Sequence, residues 1–290
     1  MLVGGVVMPG RSDSAQINSA ARKSGLFPWR AFYSAWASEW VRLSGWRGPF
    51  IRVLVPLGIV LPLVVTLVIG GVAESLHGNG GLIQVREVST TNANYWVIYL
   101  GITMYAVVAT YAQASSMRGP VGELDSVLHP RPVPSIIARW LVVSVAAAIG
   151  SFFSVLMVMV ALPALYPQVY GSVSASSVEG VRFLWAAPLY AVAACGIGVG
   201  IGALVAVPAA AITVITVWSL LIENAVVFVP HGGELVGWMP FLNGIYGTGQ
   251  EIALEPPWSS NGSLLYVMGW AAVIMLLGIC SAVRRSRRPR

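Results

Sequence analysis

Residues 182–223, RFLWAAPLYAVAACGIGVGIGALVAVPAAAITVITVWSLLIE, place 40 consecutive uncharged residues between Arg182 and Glu223. As one helix rising 1.5 Å per residue, such a run would reach about 60 Å, twice the roughly 30 Å of bilayer hydrocarbon. The run must therefore fold back on itself. Pro208 sits where a tight turn gives two spans of near-equal length, 183–207 and 208–230, and proline suits the first turn of a helix better than its interior.

Counting that run as two crossings sets the count for the rest. The chain is 57% apolar and 10% charged, with a mean hydropathy of +0.76. A water-soluble domain carries roughly 25% charged residues, so a soluble fold is excluded. Candidate spans are 50–72, 94–116, 136–163, 183–207, 208–230 and 262–283. The expected fold is an all-α integral membrane protein with six transmembrane helices.

Charge tests the count. Of 17 basic residues, 15 fall on one side of a six-span topology: the segment before the first span, the loop 117–139 and the last seven residues. Arg86 and Arg182 alone fall on the other. Basic residues gather on the cytoplasmic side, which puts both ends in the cytosol. Five spans would strand the terminal arginines outside. The net charge of +6 is read as facing anionic lipid headgroups, not nucleic acid. Arginine supplies 16 of the 17 basic residues, a bias that suits a GC-rich bacterial genome; with six spans and both ends cytosolic, the expected location is a bacterial plasma membrane.

Residues 1–25 have the composition of a disordered cytoplasmic tail, and the apolar start Met1–Val7 lacks the basic flank of a signal peptide. In 26–49, Trp29, Phe32, Tyr33, Trp36, Trp40 and Leu43 recur at steps of three and four. Arg30, Ser34, Ser38 and Glu39 are read as falling away from that face. An aromatic amphipathic helix flanked by Arg suits the membrane–water interface, and a groove-binding helix for a partner is the alternative. Gly45, Gly48 and Pro49 form a joint into the membrane domain, 50–283. Residues 284–290 form a basic cytoplasmic tail.

The outer loops 73–93 and 164–182 look like ordinary connections. The segment 231–261 does not: its apolar stretches are too short to span and are broken by Gly and Pro, which suggests a re-entrant or interfacial hairpin. Glu223, beside Asn224, is the ionisable residue placed inside a span, roughly 22 Å from the cytoplasmic end. An intramembrane carboxylate faces the bundle interior or water. It is expected either to be functional or to anchor the hairpin, with Asn224 holding it by a hydrogen bond. Glu223, Asn224, Pro230, Pro240 and Phe241 are the candidate outer gate.

Catalytic signatures are missing from the sequence. His77, His129 and His231 are scattered across both sides, and Cys195 and Cys280 sit at different depths, unsuited to a disulfide or a metal site. The Gly196, Gly198, Gly200, Gly202 series lies inside an apolar span with no preceding strand, so it is read as close helix packing. The only lysine reads Arg22-Lys23-Ser24, so the chain has no phosphate-cradling loop of the Gly-Lys-Ser/Thr kind.

The loop SSMRGPVGELDSVLHPRPVPSIIAR is the remaining feature. Arg118, Glu123, Asp125 and Arg131 lie along it, and Val121, Leu124 and Leu128 share one side of two possible helical turns. A short rigid helix of mixed charge could dock into a soluble partner; an ordinary connector is the alternative. Here the chain resembles the membrane subunit of type-2 ABC exporters. Ser38-Glu39-Trp40-Val41-Arg42-Leu43 is similar to the family's Glu-Trp-x-Lys-Leu motif ahead of the first span. Gly122-Glu123-Leu124-Asp125-Ser126-Val127-Leu128, with Pro132-Val133 and later Arg139, resembles its Gly-Thr-Leu-Glu-x-Leu-Leu … Pro-Val … Lys loop. Pro230 and Met239-Pro240-Phe241 resemble the prolines that bracket its outer hairpin. Glu123 stands where the family carries Thr, and the loop has extra prolines.

The resemblance implies a permease subunit with no nucleotide site of its own, paired with a separate ATP-binding subunit that carries ATP and Mg. It also implies a second permease copy, identical or related. Arg118, Glu123, Leu124, Asp125, Leu128 and Arg131 would form the ATPase-coupling loop, while Trp29, Trp36 and Trp40 would seat the interfacial helix among lipids. Two other classes stay open from the residues alone. A membrane-embedded enzyme or assembly factor acting on lipid or cell-wall precursors would need polar residues converging on one face. An ion-coupled secondary transporter would need more intramembrane carboxylates and an inverted repeat.

Overall fold

The structure is a computed structural model that describes residues 29–45, 47–77, 87–119, 122–123, 132–253 and 255–287. The tail 1–25, the loop residues Leu124, Asp125, Leu128 and Arg131, and the last three arginine-rich positions lie outside the described residues. Six helices are long and apolar enough to cross a membrane: Phe50–Leu76, Val97–Ser115, Pro132–Leu165, Val178–Val205, Pro208–Phe228 and Ser260–Ser286. They are called the first to sixth spans. A shorter helix, Trp29–Ser44, precedes them, and two short helices, Gly232–Val236 and Pro240–Gly247, lie between the fifth and sixth.

The long uncharged run divides at the expected proline. The fourth span ends at Val205, Ala206 adopts the left-handed conformation (φ 56°) that stops it, and Pro208 opens the fifth. The sixth span runs past Arg284 and Arg285 to Ser286, so the basic segment 284–290 begins as helix. Arg285 donates to the carbonyls of Ala203 and Leu204, which caps the exposed carbonyl end of the fourth span with a cation.

The second and fourth spans form the centre, with 72% and 67% of their most apolar windows buried against 28%, 22% and 28% for the first, fifth and sixth. Glycine makes this packing possible. A Cβ on Gly202 would lie 2.6 Å from the Thr110 carbonyl oxygen of the second span, and one on Gly200 would lie 2.6 Å from the Ile274 backbone of the sixth. Gly198 meets Ala106 and Thr110, and Gly196 meets Ala271 and Trp140. Alternate glycines therefore face alternate neighbours, as small residues at membrane helix contacts do.

The outer connections are more than spacers. Val88 donates its N–H to the Val169 carbonyl at 2.8 Å, Ser174 N–H to the Thr90 hydroxyl, and Glu251 N–H to the Thr91 carbonyl. Glu74, at the end of the first span, accepts the amides of Gln168 and Val169. The three outer segments are stitched into one layer over this end of the bundle.

Candidate functional site

The hairpin helix Pro240–Gly247 is held at both ends by side chains from the spans. At its N-terminus, where helix amides lack intrahelical partners, Glu223 of the fifth span accepts the N–H of Phe241 at 3.1 Å and of Leu242 at 2.8 Å. Its carboxylate also accepts the indole N–H of Trp218 at 2.8 Å. At the C-terminus, Arg182 of the fourth span donates to the Gly247 carbonyl at 2.8 Å and lies over the Trp185 ring. Anion at the N-terminus and cation at the C-terminus match the helix dipole at both ends. Between them, the Tyr190 hydroxyl donates to the Phe241 carbonyl at 3.1 Å. A wide π-type stretch, Val217–Ile222, directly precedes Glu223; such turns re-aim the residues that follow.

Beside this anchorage lies a cavity of about 470 Å³ between the fourth, fifth and sixth spans and the hairpin. Trp218, Phe241, Tyr266 and Trp270 line it along with Ile197 and Val214. Two of these, Trp218 through its indole and Phe241 through its amide, are tied to Glu223. The carboxylate thus sits behind the aromatic wall, both oxygens engaged. This arrangement accommodates apolar or aromatic groups and holds the hairpin; it presents no activated nucleophile or acid–base pair. Among the described residues no group of three or more His, Cys, Asp or Glu could hold a metal ion.

Of the outer residues singled out in the sequence, Glu223, Pro240 and Phe241 come together. Asn224 does not join them. It is exposed and donates to the Tyr99 hydroxyl at 2.8 Å and the Leu220 carbonyl at 3.1 Å, because its side chain leaves the helix on the side facing the second span. Pro230 is exposed, beyond the end of the fifth span. On the loop, Arg118 and Glu123 are exposed, and Gly122 and Glu123 are helical.

The Trp29–Ser44 helix differs from the expected single aromatic face. Ala35, Glu39 and Leu43, at intervals of four, are buried against the bundle, and Trp36 packs beside them. Trp29 and Trp40 stay exposed. Glu39, read as falling away from the aromatic face, is 4% exposed and forms an ion pair with Arg139 of the third span. Glu223 is therefore joined by two further buried ionisable side chains that the sequence reading did not assign as a pair. Trp218, Arg182, Tyr190 and Gln113 were missed as well. The available signal was a lone base inside the third apolar run and a lone acid on the stripe 35, 39, 43.

No family model, curated protein or solved structure matches the chain.

Proposed function

We propose that this protein is the membrane-spanning permease subunit of an ATP-driven exporter in a bacterial plasma membrane, working with a separate ATP-binding subunit and a second permease copy. One observation carries the reading. The two strings that resemble type-2 ABC exporters, Ser38–Leu43 and the loop with its following Arg139, are about a hundred residues apart. Glu39 of the first string pairs with Arg139, which follows the second, at one end of the bundle. Six apolar helices and the aromatic cavity under the pinned hairpin supply a membrane path and an outer closure. ATP and Mg would be bound by the partner, and nucleotide would drive transport by binding one state of the assembly better than the other.

The test has two stages. Purification from native membranes should bring down an ATP-binding subunit. Replacing both Glu123 and Asp125 by Lys should then weaken that association or separate ATP hydrolysis from transport, since like charge at a polar rim opposes docking. Normal assembly and transport by the double variant would make the loop a connector only.

A further inference from the structure

Arg139 is among the largest fully buried side chains, with 1% of its surface exposed. It lies about two turns into the third span, and its guanidinium donates to Gln113 at 2.6 Å, to Ser135 at 3.2 Å and to Glu39. The other oxygen of Glu39 accepts from Arg42 at 2.6 Å, and Arg42 also reaches the Ala112 carbonyl at 3.3 Å. Gln113 and Ala112 belong to the last turn of the second span, Ser135 and Arg139 to the first turns of the third. Those two spans are the stems of the loop 116–131. The Glu39 carboxylate therefore fastens the Trp29–Ser44 helix directly to the third span, and through Arg139–Gln113 and Arg42–Ala112 to the second.

Directly after this anchored C-terminal part of the helix comes a tight corner. Gly48 donates its N–H to the Gly45 carbonyl at 2.6 Å, and Phe50 of the first span follows at once. The helix is thus bolted to the second and third spans and turns directly into the first. Burying a guanidinium is tolerable only while it is fully paired, so this joint resists stretching and holds its members together.

We infer that Glu39 is a positioning residue that makes the Trp29–Ser44 helix and both stems of the loop move as one body, passing movement at the loop into the first span. This rests on the permease reading. The experiment uses the full chain with its co-purified ATP-binding subunit in nanodiscs, in a Cys280→Ser background. Gly233→Cys is the reporter, at an outer position where an added Cβ meets nothing within 4 Å. Its labelling by an impermeant maleimide is timed with and without a non-hydrolysable ATP analogue.

In the parent, nucleotide should change the labelling rate by about fivefold or more, the size of a substantial population shift. Glu39→Gln removes the charge that Glu39 sets against the buried Arg139 and should lower thermal stability as well as the labelling response. The double variant Glu39→Gln/Arg139→Met removes both charges and should regain stability. It should still bind the ATPase and hydrolyse ATP, yet its labelling should no longer respond to nucleotide. A double variant that responds like the parent would show that the pair only stabilises, and would overturn the inference. Should the double variant not assemble, Glu39→Asp, which keeps the charge on a shorter reach, is read the same way: a full response overturns the proposal and a diminished one supports it. A parent that binds no ATPase, or whose labelling ignores nucleotide, fails before any variant is made. That result removes the permease reading and this inference with it.

Discussion

At the scale of the single residue, Glu223 shows how a polar group in an apolar wall is made tolerable. It lies about 15 residues from the start of the fifth span, is 1% exposed and accepts from three donors, two of them helix-end amides that hydrocarbon could not satisfy. Each unsatisfied buried donor costs on the order of 1–3 kcal/mol. Glu223→Ala strips all three at once, so the amides of Phe241 and Leu242 should exchange with solvent at least about tenfold faster, one decade per ~1.4 kcal/mol. Glu223→Gln keeps one acceptor but turns an NH₂ toward a donor, so its effect should be intermediate. Transport should fall modestly with Gln and remain driven by ATP alone. Unchanged exchange in the Ala variant would show that the carboxylate does not hold the hairpin. Complete loss of transport with Gln, together with a need for a proton gradient in the parent, would favour the secondary transporter.

At the scale of the element, the fourth span is the part most sensitive to added volume. Its glycines pack backbone against backbone on two sides, and a Cβ at Gly200 or Gly202 would fall at 2.6 Å from a neighbouring backbone atom. Gly200→Ala and Gly202→Ala should each lower stability by about 1–3 kcal/mol, the usual result of overpacking. Gly269→Ala, which meets nothing within 4 Å, should be neutral. Thermal unfolding in detergent checks all three, and equal behaviour would mean that the spans relax around the insertion. The glycine run could be read from sequence as a packing device because it sits inside an apolar run. Span ends were less legible. The third helix begins at Pro132 and reaches Leu165, beyond the expected 136–163, because a helix continues into the interface after hydropathy falls. The packing of the Trp29–Ser44 helix was less legible for a related reason. Counting aromatics picked out a face for the membrane interface but not the stripe through Ala35, Glu39 and Leu43 that packs on the bundle, and an acid joins that stripe only because a partner lies a hundred residues away. The outer stitching of 87–92 to 167–174 and 251 likewise mixes backbone bonds with scattered side-chain bonds, such as Ser174 N–H to the Thr90 hydroxyl, that no periodic pattern announces.

At the scale of the molecule, the six helices and their charges give one consistent orientation. The contact between Arg285 and the last carbonyls of the fourth span puts the ends of the fourth and sixth spans level. The close approach of Gly202 to Thr110 and Gln113, with the Gln113–Arg139 bond, puts the loop 116–131 at that same end. Arg42, Arg47, Arg52, Arg118, Arg139, Arg284, Arg285 and Arg287 all belong to it. Among the described residues Arg182 is the one arginine at the other end, where it is occupied in capping the hairpin helix. Basic residues near span ends stay on the cytoplasmic side, so the end bearing the loop should face the cytosol and the hairpin the exterior. Single cysteines replacing Gly80, Ala175 and Glu255 should react with an impermeant maleimide in intact cells, while those replacing Ala15 and Arg288 should react only after permeabilisation. Reaction at position 288 from outside would remove the six-span orientation. The loop would then face away from any cytosolic ATPase, and the coupling proposed through Glu39 and Arg139 would have nothing to transmit.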